Sequence, residues 1–356
     1  MKKHKICKIL LVILAIFLCV AFYELLGICV AYKKQPEVSN TTKKETKNGS
    51  WNECSENTER AVIIEKNPEA LLQRVRLIKN AKKEIILSTF AFQSDESGKL
   101  ILGALHDAAD RGVHIRLLVD GMESWIDMEG NPYFYGLSSH ENVEIKLYNK
   151  ANPLKPWKIM GRMHDKYLIA DGKRYILGGR NTYNYFLGDF PGHKNYDRDV
   201  LVVCDEPEKE NSVNQLLEYF ETIWEQEDSD YFHDNKKLAN RKSVKNAVLE
   251  LQNGYQKYFE ENKERICDTD YTDETFETEK IALVSNPIHT GPKEPVVWYQ
   301  LGELMKNAKE RVKIHTPYII CNDMMYNTWK EIAERVPDFS IMTNSVANNG
   351  NPFGSA

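Results

Sequence analysis

The chain has 356 residues, 42% hydrophobic and 28% charged, which excludes a disordered or collagen-like polymer and leaves room for a two-lobed globular protein. Lys and Arg number 47 against 52 Asp and Glu, a formal net charge of -5 that removes the basic footprint of a general nucleic-acid binder. Cys54, Cys204, Cys267 and Cys321 lie far apart with no CxxC or Cys/His ligand spacing, so a zinc module is not expected, and Cys204, closing the apolar run from Asp199, is read as a buried thiol.

After Met1-Lys2-Lys3-His4-Lys5, the stretch from Ile9 to Tyr32 carries Glu24 as its only charge, long enough to cross the hydrocarbon core of a bilayer. Residues 1–32 are therefore read as one membrane anchor. The alternative is a cleaved signal peptide with its apolar region at Ile9–Tyr23. Its cleavage site near Cys29-Val30-Ala31 matches the small-x-small pattern poorly. Lysines flank the stretch on both sides, and the very short basic N-tail is read as inside, with the folded region outside the membrane. Residues 33–60 turn to Lys, Thr, Asn, Ser and Glu, a solvated tether.

The folded part is predicted to begin at Ala61. Asn67-Pro68 reads as an N-cap followed by Pro at the first helical position, with Leu71, Leu72, Val75 and Ile78 at helical spacing. Glu84–Phe92 is an apolar run of strand length, Lys99–Arg111 an amphipathic helix stopping at Gly112, and Val113–Val119 a second strand. Together they make a parallel βαβ unit and an α/β class. Leu216, Phe220, Ile223 and Trp224 mark a helix closing this first lobe, 61–266. The acidic stretch 267–280 is expected to link the lobes. A repeat starts the second lobe at 281–356, since Leu77–Thr89 (LIKNAKKEIILST) reappears as Leu304–Thr316 (LMKNAKERVKIHT).

The chemistry concentrates between Arg162 and Asn181. Asp171-Gly172 between two apolar-alternating runs predicts a hairpin of Met163–Ala170 with Lys173–Leu177, and period-two alternation puts His164 and Lys166 on one face. A neutral imidazole beside an ammonium suits a phosphate centre: a ring nitrogen can attack phosphorus while the fixed charge stabilises the non-bridging oxygens. Gly178-Gly179 permits close backbone approach, and Asn181 can donate an amide hydrogen bond to the same oxygens. Taken alone, a histidine on a strand is an ordinary structural residue, Gly-Gly a turn, and Asp171 the hairpin residue. The ordered string His-x-Lys-x4-Asp followed by Gly-Gly-x-Asn is far more specific than any member.

That string resembles the HKD motif of the phospholipase D superfamily. Asp95-Glu96-Ser97-Gly98, Ala109-Asp110-Arg111-Gly112, Gly178-Gly179-Arg180-Asn181 and Tyr196-Asp197-Arg198-Asp199-Val200 resemble its bacterial cardiolipin synthase branch, especially the C-type members. The resemblance implies two α/β lobes of mixed or parallel sheet flanked by helices, each giving one motif to a shared metal-free site that works through a phosphohistidine. It implies His164 as nucleophile or acid/base partner, Asp171 as the motif's third position, Lys166, Asn181 and Gly179 around the phosphate, and Asp197 orienting the imidazole, with Asp199 as alternative. The expected substrate is a phospholipid, phosphatidylglycerol going to cardiolipin, at a bilayer and without nucleic acid or cofactor. Hydrolysis or nuclease action by the same mechanism, or an inactive membrane protein, is the alternative. Neither His289 nor His315 has Lys at i+2, so no second motif precedes Ala356, and a fragment of a two-motif chain is expected.

Overall fold

The computed structural model describes residues 2–49, 59–206, 211–233 and 235–345. The chain folds as two compact units, Met1–Lys34 with Cys54–Leu283 and Ile288–Pro292, and Gln35–Glu53 with Val284–Pro287 and Lys293–Ala356.

The first unit is built on a mixed sheet. At its centre β2 (Glu84–Thr89) lies parallel to β3 (His114–Asp120), joined through α4 (Glu96–Asp110), and β4 (Val143–Tyr148) continues the parallel set. On the other side of β2 the direction reverses, with β5 (Tyr167–Ala170), β6 (Arg174–Gly178), β7 (Asp199–Val203) and β1 (Arg60–Ile64) each antiparallel to the last. With β8 (Ser229–Tyr231) and β9 (Phe276–Glu277) at the edges, the order among the described residues is β8-β4-β3-β2-β5-β6-β7-β1-β9.

Alternation along these strands feeds two cores. Ile85, Leu87, Ile115, Leu117, Leu168, Ile176 and Leu201 face one layer, filled from α3 (Asn67–Asn80), α4, α6 (Pro132–Ser138) and α8 (Lys242–Glu261). Ile86, Leu118, Tyr167, Ile169, Tyr175 and Val202 face the other, covered by α7 (Ser212–Trp224) through Leu216, Phe220, Ile223 and Trp224. The βαβ unit and the closing helix thus follow the periodicity of the sequence, and Cys204 is fully buried.

Three expectations change. The hairpin strand starts at Tyr167 rather than Met163, so His164 lies in an extended, unpaired approach to β5. Asn67 is the first residue of α3 rather than its cap: its Nδ2 donates to the Asn195 carbonyl and its Oδ1 accepts from Arg180. The acidic stretch 267–280 belongs to the first unit. Fully buried Arg76 gathers Asp268, Glu274 and the Asp270 carbonyl and lies 3.9 Å above the Tyr271 ring, while β9 pairs with β1. A buried guanidinium needs several acceptors, and these acidic residues supply them.

In the second unit, α10 (Val296–Lys306) leads into β10 (Arg311–His315), α11 (Asp323–Arg335) and β11 (Asp338–Met342), and the two strands pair in parallel. The repeated segment therefore folds into a second βαβ unit. The stretch expected to be a solvated tether instead carries α2 (Asn40–Asn48), capped by Ser39, with Thr42 and Thr46 buried and Glu294 accepting from the Ser39 amide and the Thr42 hydroxyl. In the first unit, α1 runs over Lys2–Ala31, and its segment Lys8–Ala31 is the one helix among the described residues long and apolar enough to cross a membrane.

Candidate active site

Where β2 and β3 end and β5 begins, the sheet changes from parallel to antiparallel. The candidate residues converge there. Phe90, the first residue beyond β2, is the platform. The His164 ring centroid lies 4.6 Å from its ring, the Arg162 guanidinium 5.0 Å and the Lys166 ammonium 5.2 Å.

Asp120, closing β3 and buried, aims the motif. Its carboxylate caps α5 (Gly121–Asp127) through the Met122 and Glu123 amides, takes a two-pronged ion pair from Arg162, and accepts the Met163 amide at 3.0 Å. Arg162 also pairs with Glu123 at 2.9 Å. The two residues before His164 are thereby fixed through one carboxylate. Neither Asp120 nor Phe90 was among the expected site residues. The available signal was an acid ending an apolar parallel strand and an aromatic just beyond another, at the edge where crevices form.

The His164 ring leans on Phe90, and among the described residues its nitrogens have no hydrogen-bond partner. Although the residue is exposed at the surface, partial desolvation, then the Lys166 and Arg162 charges, hold its pKa down at about 4, against a smaller upward pull from Asp120, so the ring is neutral at pH 7. Lys166 is 6% exposed and folds back to donate to the His164 carbonyl at 2.6 Å. Burial lowers its pKa to about 8, opposed by Asp165, Asp197 and Asp120. Asn181 is buried, its Oδ1 accepting the Ala91 amide at 3.2 Å, while Thr182 pairs with Phe92 in a single parallel bridge. This bridge ties the end of β6 to the end of β2.

The remaining expected residues are placed differently. Asp171 sits at the far end of β5, where it and Gly172 adopt positive φ and the Lys173 amide closes the turn on the Ala170 carbonyl. Its carboxylate accepts the backbone amides of Lys82, Lys83 and Glu84 at 2.7–3.1 Å. It holds the hairpin to the start of β2 and takes no place beside His164. Asp197 makes no hydrogen bond to His164. It stands over Gly179, where an added Cβ would lie 2.1–2.6 Å from its carboxylate atoms. The close approach at Gly179 is therefore made by Asp197, whose charge acts on Lys166. Asp199, the alternative, is buried between Arg74 at 2.9 Å and Arg180 at 3.2 Å. The Asp95-to-Gly98 string is a helix cap: Asp95 accepts the Gly98 and Asn184 amides, joining α4 to the segment after Asn181.

Comparison with known proteins agrees with this arrangement. Residues 74–224, which include Phe90, Asp120, His164, Lys166 and Asn181, match the family described as cardiolipin synthase, PLD-like domain. An uncharacterized protein of Helicobacter pylori (strain ATCC 700392 / 26695) is 28% identical over 316 residues, 81% of this chain and 60% of the relative. Cardiolipin synthase C of Escherichia coli (strain K12) is 29% identical over 171 residues, 44% of this chain and 34% of that protein. The chain thus matches less than two thirds of the length of these relatives. Among solved structures, phosphatidylserine synthase of Haemophilus influenzae Rd KW20 superimposes with a TM-score of 0.56 at 14% identity, over 86% of this chain and 67% of that one, a likeness of fold. Residues 74–224 thus carry a phospholipase D-like domain similar to those of cardiolipin synthases.

Proposed function

We propose that this protein is a membrane-anchored phosphatidyltransferase that takes phosphatidylglycerol as donor and makes cardiolipin. The observation that carries the reading is a neutral His164 held beside the Lys166 ammonium, with Asn181 nearby, in a domain matched to cardiolipin synthases. A ring nitrogen of His164 attacks the phosphorus of phosphatidylglycerol, and the bond to the glycerol oxygen breaks. Glycerol leaves with a proton from a second acid, and the phosphatidyl group rests on His164. The hydroxyl of a second phosphatidylglycerol then attacks phosphorus, returns a proton to that acid and frees the imidazole. Lys166 and the Asn181 amide stabilise the non-bridging oxygens as charge develops. Asp120 acts through Arg162 and the Met163 amide to aim the ring.

The second acid is not supplied near His164 by any described residue. Asp120 is committed to Arg162, and Asp165 accepts the Tyr219 hydroxyl at 2.7 Å. In this reading a second His-x-Lys motif supplies it. The test is to express the intact gene in bacteria stripped of their own cardiolipin synthases and to analyse the lipids. Cardiolipin should appear, and His164→Ala should abolish it. Phosphatidic acid without cardiolipin would assign hydrolysis instead, and unchanged lipids would overturn the reading.

A further inference from the structure

The segment 151–160, just before the motif, is an exposed apolar loop with a 3-10 turn at Pro156–Lys158. Leu154 is 77% exposed, Trp157 43% and Met160 59%, although soluble surfaces rarely cluster large apolar side chains on a short loop. Its ends are anchored, because Asn149 Nδ2 donates to the carbonyls of Lys158 at 2.7 Å and Gly161 at 2.9 Å.

The loop rests on α1. The Tyr23 hydroxyl donates to the Leu154 carbonyl at 2.9 Å, and a Cβ at Gly27 would lie 2.6 Å from the Pro156 ring. Tyr32 donates to the Thr290 carbonyl at 2.7 Å, and Thr290 backbone packs on Gly161 so closely that a Cβ there would lie 2.6 Å away. The apolar segment of α1 ends at Ala31. At about 1.5 Å rise per residue, Gly27 and Tyr23 lie roughly 6 and 12 Å inside that end. A loop touching both therefore lies on the acyl-chain side of that end.

We infer that residues 151–160 form a second membrane contact, with Leu154, Trp157 and Met160 entering the acyl-chain boundary and exposed Lys155 facing headgroup phosphates. The inference rests on α1 spanning the bilayer. Trp favours the interface, where its ring is amphipathic, and a lysine stem reaches from apolar depth to the headgroups. Gly161 follows this loop and precedes Arg162, so immersion sets the mouth of the site at the bilayer surface. A lipid can then reach His164 by lateral movement rather than by leaving the membrane.

The test uses the full chain in phosphatidylglycerol vesicles containing lipid brominated near the headgroup end of the acyl chain. Emission from Trp157 is isolated as the difference between wild type and Trp157→Phe. That difference should fall about twofold with the shallow bromolipid, and less with bromine placed near the bilayer centre. Leu154→Trp in the Trp157→Phe background should behave alike. Difference emission that bromolipid does not quench, in chain that resists alkaline extraction, would overturn the inference and leave the anchor standing. Release of the chain by alkali would overturn both.

Discussion

At the scale of single residues, the environment of His164 sets both chemistry and pH response. Removing the ring takes away the proposed nucleophile and little packing, so His164→Ala should lower transfer by about 10³-fold or more with the thermal midpoint nearly unchanged. Because partial desolvation holds the folded pKa at about 4, below the usual 6.5, the unfolded chain binds the extra proton between those values. Wild-type stability should therefore fall as pH drops from about 6.5 to about 4, while His164→Ala lacks that loss. Thermal midpoints of the two proteins across this range check the sign: the variant should gain on wild type as the solution is acidified. Lys166, lowered to about 8, loses its proton in the free enzyme as pH rises through that value, so kcat/KM should decline there. Asp120→Asn should cost about 1–3 kcal/mol, since Arg162 keeps only Glu123 as a charged partner and the Met163 amide loses a carboxylate acceptor, and should slow transfer about 10²-fold by misplacing the ring. Full activity in a folded Asp120→Asn protein would show that the approach to His164 is held by other groups.

At the scale of elements, the hairpin β5–β6 explains why the motif contains an aspartate and two glycines. Asp171 satisfies three backbone amides at the entry to β2, so Asp171→Ala should destabilise by about 1–3 kcal/mol. Turnover per folded molecule should be kept in the cold. Loss of turnover without loss of stability would instead return Asp171 to the chemistry. At Gly179 a methyl group collides with Asp197, so Gly179→Ala should cost about 1–3 kcal/mol. Adding Asp197→Ala should recover most of that cost. A double-mutant cycle on thermal or urea unfolding measures the coupling, and additive effects would show that Asp197 does not fill the space above Gly179.

At the scale of the molecule, one His-x-Lys motif cannot stand on both sides of phosphorus. The purified 356-residue chain should therefore turn over no phosphatidylglycerol as a monomer, and activity rising with the square of concentration would mark a site completed by a second copy. Robust turnover by a monomer would refute the two-motif mechanism. Among the described residues no group of three His, Cys, Asp or Glu is placed to hold a metal ion, and Lys166 already supplies countercharge. Transfer in the intact protein should accordingly survive EDTA. Activity lost to chelator and restored by Mg²⁺ would count against the histidine pathway.

The βαβ units, the closing helix and the apolar N-terminal helix were readable from sequence, because each depends on local periodicity. A repeat of thirteen residues announced the second unit's helix-to-strand segment. Tertiary structure decided what those patterns cannot carry. Asp120 reaches Arg162 and Phe90 reaches His164 only because the sheet brings the ends of β2 and β3 beside the start of β5. The same folding turns Asp171 toward the amides of Lys82 to Glu84, Asp197 toward Gly179 and Asp199 toward two arginines. It also claims the acidic stretch 267–280 for the first unit. A carboxylate looks the same in sequence whether it orients an imidazole, closes a turn or neutralises a buried guanidinium, because that choice depends on which distant donor the fold delivers to it.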